Sequence, residues 1–350
     1  MTAVAAEVLK LDEAQEERAR KVHQAAIVID IGAATNPAEA SAYVNGEYAL
    51  ERLRRGGVTS LNATVAGGHD TFRHAINEIM EVRRFVKARS DASLLVQTAG
   101  DIRRAKAEGK VGITVYFQQG SAFEDNWLNT IPALQVLGLR VTTLTYNERN
   151  LIGCGCYETT DDGLSAYGKQ VVRGLNANGI IVDGSHVGQK TVRDAAACSS
   201  APIIYSHTNA AALFPHQRNA SDDNLKAVAS TGGVIGTTAW EVLLKRDPDH
   251  LPTLSDLLDN IDYTANLVGI DHVGIGTDLN ENFRAMPIQS AWEATYMGPS
   301  YRNRELPAFE WLSDFPNITR GLVQRGYSDE DITKVLGGNF MRVAEQVWGQ

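Results

Sequence analysis

Residues 180–207 read IIVDGSHVGQKTVRDAAACSSAPIIYSH. A short apolar run ends in Gly184-Ser185-His186, a helical stretch follows over 190–198, and a second apolar run at 202–206 ends in His207. The runs are too short and too evenly apolar for helices, and they suit parallel strands buried on both faces. The unit is therefore strand–helix–strand, with a histidine where each strand stops.

The same alternation continues outward in both directions. Runs rich in β-branched residues and bounded by Gly, Pro or Asn predict strands at 26–30, 58–65, 111–117, 141–145, 180–183, 202–206, 234–238 and 273–277, with 94–98 as a satellite strand. Amphipathic patterns predict helices over 71–90, 128–137, 163–178, 190–198, 222–230, 254–268 and 328–347. Ser328 caps the last of these, with Glu330 and Asp331 in its first turn. Eight strand–helix alternations point to an α/β fold of the closed (β/α)8 TIM-barrel type. An open doubly wound sheet would want a Gly-rich phosphate turn after the first strand, and Asp30-Ile31-Gly32-Ala33-Ala34 does not supply it. Residues 1–350 are read as one barrel domain, with an N-terminal helix at 9–24 and an irregular loop at 280–306 expected to serve as a lid or a dimer contact.

Bulk properties exclude several function classes. A net charge of -9 with scattered arginines argues against a nucleic-acid surface. No stretch approaches the ~18 apolar residues of a membrane span, and residues 1–20 read as a polar helix, not a signal peptide. The three cysteines, Cys154, Cys156 and Cys198, lack framework spacing, so a cytoplasmic location is expected.

In a barrel, reactive groups sit where strands end at the C-terminal face. There the sequence places His186, His207 and, after the eighth strand, Asp278. A single histidine at a strand end is ordinarily structural. Two imidazoles and a carboxylate from three strands suit a zinc site with a proton-handling group beside it. His23, His74, His216, His250 and His272 read as structural or solvent-facing, and His272 precedes its strand, at the opposite end of the barrel.

Ser185-His186-Val187, the run APIIYSHTN at 201–209, Arg218-Asn219 and Gly274-Ile275-Gly276-Thr277-Asp278 together resemble the renal (membrane) dipeptidase family of metallopeptidases. The likeness extends over about 22–348 and includes Gly338-Asn339-Phe340-Met341-Arg342-Val343 near the C-terminus. It implies an amidohydrolase-like, metal-dependent hydrolase barrel that holds two zinc ions and cleaves dipeptides. By resemblance His186 and His207 would bind the second zinc. Arg218 would grip the substrate carboxylate with its planar fork of donors. Asp278 would handle the proton of the attacking water.

The departures are as informative. The family's first strand ends Asp-Gly-His-Asn-Asp, and its His and second Asp bind the first zinc; here the segment is Asp30-Ile31-Gly32-Ala33-Ala34. The bridging glutamate after the third strand is replaced in Tyr116-Phe117-Gln118-Gln119, and the substrate-binding histidine after the fourth in Leu144-Thr145-Tyr146-Asn147. The segments 118–125 and 146–158 resemble a bacterial branch of the family with substitutions of the same kind.

The expectation is a dipeptidase-like hydrolase of a small carboxylated amide, with a reduced, mononuclear zinc site on His186 and His207. A third ligand would come from Asp278, Gln118, Cys156 or His69. Asp278, Tyr146 and Gln118 are the catalytic candidates, and Arg218, Asn219 and Tyr146 the substrate-binding ones. A lyase or isomerase using the same pocket with one metal or none is the alternative, and a non-catalytic binding protein the second. The resemblance and the long loop suggest a homodimer or larger homo-oligomer.

Overall fold

The computed structural model describes residues 9–39, 43–44, 47–67, 70–123, 126–244, 252–279 and 306–350. Residues 280–305 of the loop expected at 280–306, His69 and His250 lie outside these residues.

Eight short strands carry the architecture: β1 (Ile29–Ala33), β2 (Ser60–Gly67), β3 (Val111–Gln118), β4 (Leu139–Thr143), β5 (Ile181–Asp183), β6 (Tyr205–Thr208), β7 (Ile235–Thr237) and β8 (Val273–Ile275). They pair in parallel in the order β1-β2-β3-β4-β5, and again as β6-β7-β8. Two seams join these sheets. Ile204 N donates to Val182 O and Gly184 N to Ile204 O, linking β5 to β6, while Asp278 N donates to Gly32 O at 2.8 Å, linking β8 back to β1. The sheet is thus a closed barrel, as the eightfold alternation predicts. The satellite strand Ser93–Leu95 pairs with the outer part of β3.

Strand side chains pointing outward join the helices in one large apolar layer. Those pointing inward, including Ile29, Ile31, Val141, Ile181 and Ile204, form a second cluster, which the C-terminal helix closes from below with Phe340 and Met341. Inside the barrel, glycines let three strands approach the Ser206 carbonyl oxygen. A β-carbon would come to 2.7 Å of it from Gly32, 2.1 Å from Gly236 and 1.7 Å from Gly276.

Two helix expectations need correction. The N-terminal helix runs Glu13–Ala25 and starts at a reciprocal Asp12–Gln15 capping box. The terminal helix expected to be continuous over 328–347 is instead Asp329–Thr333 and Asn339–Trp348, separated by a kink within Lys334–Gly338 where Gly337 leaves helical geometry (φ 170°, ψ -15°). The kink falls where Gly337 presses on the barrel: a β-carbon there would lie 2.4 Å from the Ile27 carbonyl oxygen.

Candidate active site

Asp183 and Ser206 point into the barrel one to three residues before the two histidines. The Asp183 carboxylate accepts from the backbone N–H of Ser185 (2.9 Å) and Ser206 (2.8 Å), from the Tyr116 hydroxyl (2.6 Å) and from the Ser206 hydroxyl. All three side chains are fully buried. Ser206 Oγ also lies 2.7 Å from His207 Nδ1. A chain of polar contacts therefore runs from the barrel interior to the imidazole of His207.

His207 meets His186 at its other nitrogen: the two Nε2 atoms are 2.9 Å apart. Arg218 Nη2 lies 3.1 Å from the same His186 Nε2, and His186 Nδ1 is 2.8 Å from Asn147 Oδ1. Tyr146 stacks on the His186 ring, centroids 4.1 Å apart. Of the four described non-glycine residues at positive φ, three are Asn147 (+53°), His186 (+67°) and Asp278 (+53°). That backbone region is costly for ordinary residues and collects where side chains must be aimed.

The electrostatics follow from burial. Loss of solvent holds both imidazoles well below the ordinary histidine range, and the Arg218 charge lowers them further. Asp278 is half-buried. Desolvation pushes its carboxyl up to about 7; Arg218 pulls it down, and Asp30 and Asp183 push it up. Gln118 also lowers it, and the Gln118 Nε2 donates to Thr64 Oγ1 at 2.9 Å. Deeper in the barrel, burial raises Asp30 to about 6 against its bonds from Thr277 and Gly32 N–H.

A profile of the Membrane dipeptidase (Peptidase family M19) sequences matches residues 16–287 and 297–349. The chain belongs to the membrane dipeptidase family. It is 30% identical over 281 residues to the dipeptidase tcpJ of Claviceps purpurea (strain 20.1), a match covering 80% of this chain and 61% of that protein. It is 29% identical over 277 residues to the uncharacterized dipeptidase C965.12 of Schizosaccharomyces pombe (strain 972 / ATCC 24843), covering 77% and 62%. The chain thus spans about three fifths of the length of these curated relatives. A crystal structure of an amidohydrolase from Pseudomonas aeruginosa superposes with a TM-score of 0.82 at 34% identity, covering 95% of this chain and 99% of that one.

Within this dipeptidase-family barrel, the residues singled out from sequence separate into three groups. His186, His207, Arg218 and Tyr146 meet at one point, with Asp278 and Gln118 paired and coupled to them electrostatically. Cys156 is close, but its Sγ donates to Asn147 Oδ1 at 3.3 Å and burial pushes its thiol up to about 12, so it stays protonated. Asn219 is turned away: its Nδ2 donates to the carbonyls of Phe214 and Leu243, both at 2.9 Å, and so holds the Arg218 loop in place. Among the described residues, no three His, Cys, Asp or Glu side chains gather around one point to hold an ion. No described helix is long and apolar enough to cross a membrane.

Asn147, Asp183, Ser206 and Tyr116 are supporting residues that sequence reasoning misses. Asp183 and Ser206 were detectable in principle, as polar residues inside otherwise apolar strands, where an unpaired polar group is costly.

Whether a cation suits the histidine pair can be judged by counting protons. Arginine has only donors, so His186 Nε2 accepts and the ring proton sits on Nδ1, facing Asn147 Oδ1. Ser206 has a single proton, drawn to the Asp183 carboxylate. His207 Nδ1–H then donates to Ser206, leaving a second bare Nε2 lone pair against the first. Burial and Arg218 disfavour an extra proton there. Two facing lone pairs, each fixed by a hydrogen bond behind its ring, fit a shared metal ion once Arg218 Nη2 releases the one on His186.

Proposed function

We propose that the protein is a dipeptidase-like, metal-dependent hydrolase of a small substrate bearing a carboxylate, with a single zinc ion held by His186 and His207. The observation that carries the proposal is the meeting of the two imidazole Nε2 atoms at 2.9 Å beside the Arg218 guanidinium. Membership of the dipeptidase family supports the reaction class. The first zinc site of the family is absent in this reading, because Gly32 and Ala34 have no metal-binding side chains.

A zinc ion there would supply Lewis acidity to the scissile carbonyl and to water. The remaining work falls to the chain itself. Arg218 binds the substrate carboxylate; its Nε is buried with no partner among the described residues, so a carboxylate would satisfy it. Tyr146, stacked on His186, and Gln118 flank the scissile amide. Asp278, once ionised, takes a proton from the attacking water and returns it to the leaving amine. Gln118, which favours the ionised form of that carboxyl, would help to orient it.

The test is hydrolysis of a dipeptide panel by zinc-loaded protein, with Asp278→Asn as control. Release of free amino acids that falls by about 100-fold or more in the variant is expected from loss of a general base. No cleavage of any dipeptide, or equal cleavage by the variant, would overturn the assignment.

A further inference from the structure

We propose that Asn147 is the positioning residue of this pocket: its carboxamide oxygen holds His186 with Nε2 bare, and its free Nδ2–H group donates to an oxygen of the bound substrate. The second half rests on the peptidase reading above; the first does not.

Asn147 is fully enclosed and sits at φ +53°. Asparagine is one of the few side-chain-bearing residues that adopts this conformation readily. The surrounding loop clamps it. Tyr157 N donates to Asn147 O, Cys156 N donates to His186 O, both at 2.9 Å, and Gly155 packs so closely that a β-carbon would fall 2.1 Å from the Asn147 carbonyl carbon. The loop after β4 is thereby sewn to the segment that carries His186.

The orientation of the carboxamide follows from its neighbours. Arg218 can only donate, so the His186 ring proton is on Nδ1, and the atom 2.8 Å from it must be an acceptor, Oδ1. The Cys156 thiol donates to the same oxygen at 3.3 Å. Both oxygen lone pairs are used, which leaves Nδ2 buried and without a partner among the described residues. A buried amide donor is ordinarily satisfied, and an orphan beside a binding pocket is matched by a ligand acceptor.

The experiment compares wild type with Asn147→Gly, which keeps the left-handed backbone but removes the side chain, and with Asn147→Asp, which keeps only the acceptor. Proton and ring-nitrogen NMR of the metal-free protein, assigned by loss of signal in His186→Gln, reads the His186 ring. An exchange-protected Nδ1–H resonance is expected in wild type and in Asn147→Asp, and its loss in Asn147→Gly. A wild-type ring proton on Nε2, or an unchanged resonance in a folded Asn147→Gly, would overturn the positioning role. Affinity for a phosphinate dipeptide analogue should fall about tenfold in Asn147→Gly, the cost of one buried hydrogen bond. Unchanged affinity would overturn the donor role. Failure of the analogue to bind wild type would overturn it too, together with the peptidase reading, while the ring-nitrogen result would stand on its own.

Discussion

The α-carbon of Gly32 faces the carbonyl oxygen of Ser206 so closely that a β-carbon would lie 2.7 Å from it. Gly32 therefore does more than lack a metal ligand: the barrel has closed over the space a side chain would take. Gly32→Ala should destabilise the fold by about 1–3 kcal/mol, the usual cost of overpacking a tight core. Gly32→His should fail to restore a first zinc site. Thermal unfolding and zinc titration check both, and a Gly32→His variant that folds normally and binds an added zinc would refute the point.

Asp278 makes stability and activity depend on pH in opposite directions. Its carboxyl is raised in the folded protein to about 7 from an ordinary 3.8, so the folded state holds the proton more tightly than the unfolded chain. The contribution is most favourable below about pH 4 and is lost as pH rises through about 7. Metal-free Asp278→Asn should melt with wild type at pH 4 and above it at pH 8. Hydrolysis by wild type, which needs the ionised form, should rise with pH through the neutral range. A melting difference that shrinks from pH 4 to pH 8 would mean that the carboxylate is stabilised, not strained, in the fold.

Arg218 is buried and touches His186. Replacing it with methionine should raise KM for dipeptides by about 10- to 100-fold, as expected for a lost charge-assisted hydrogen bond. Arg218→Lys should recover only part of the loss, since an ammonium cannot form the paired fork. Steady-state kinetics separate KM from kcat; an effect on kcat alone would place Arg218 in orienting His186 instead of binding substrate.

Much of this was legible in the chain. The barrel followed from eight short apolar runs, because strands buried on both faces leave a signal that needs no tertiary knowledge. The meeting of His186 and His207 could be anticipated because a barrel puts its strand ends on one face. Contacts that depend on three-dimensional closure were not. Gly32, Gly236 and Gly276 share one carbonyl only because β1, β7 and β8 converge on Ser206. Asn219 looked like a pocket residue beside Arg218, yet its amide is used by the Phe214 and Leu243 carbonyls, and nothing local to 218–219 encodes that. The kink at Gly337 likewise falls where the chain packs on Ile27, more than 300 residues away in sequence.

The most direct measurement is the zinc content of protein purified without added metal, set beside that of His207→Ala. About one zinc per chain in wild type, lost in a variant that still folds, is the predicted result. Two ions per chain, or a content unchanged by the substitution, would contradict a single site shared by His186 and His207.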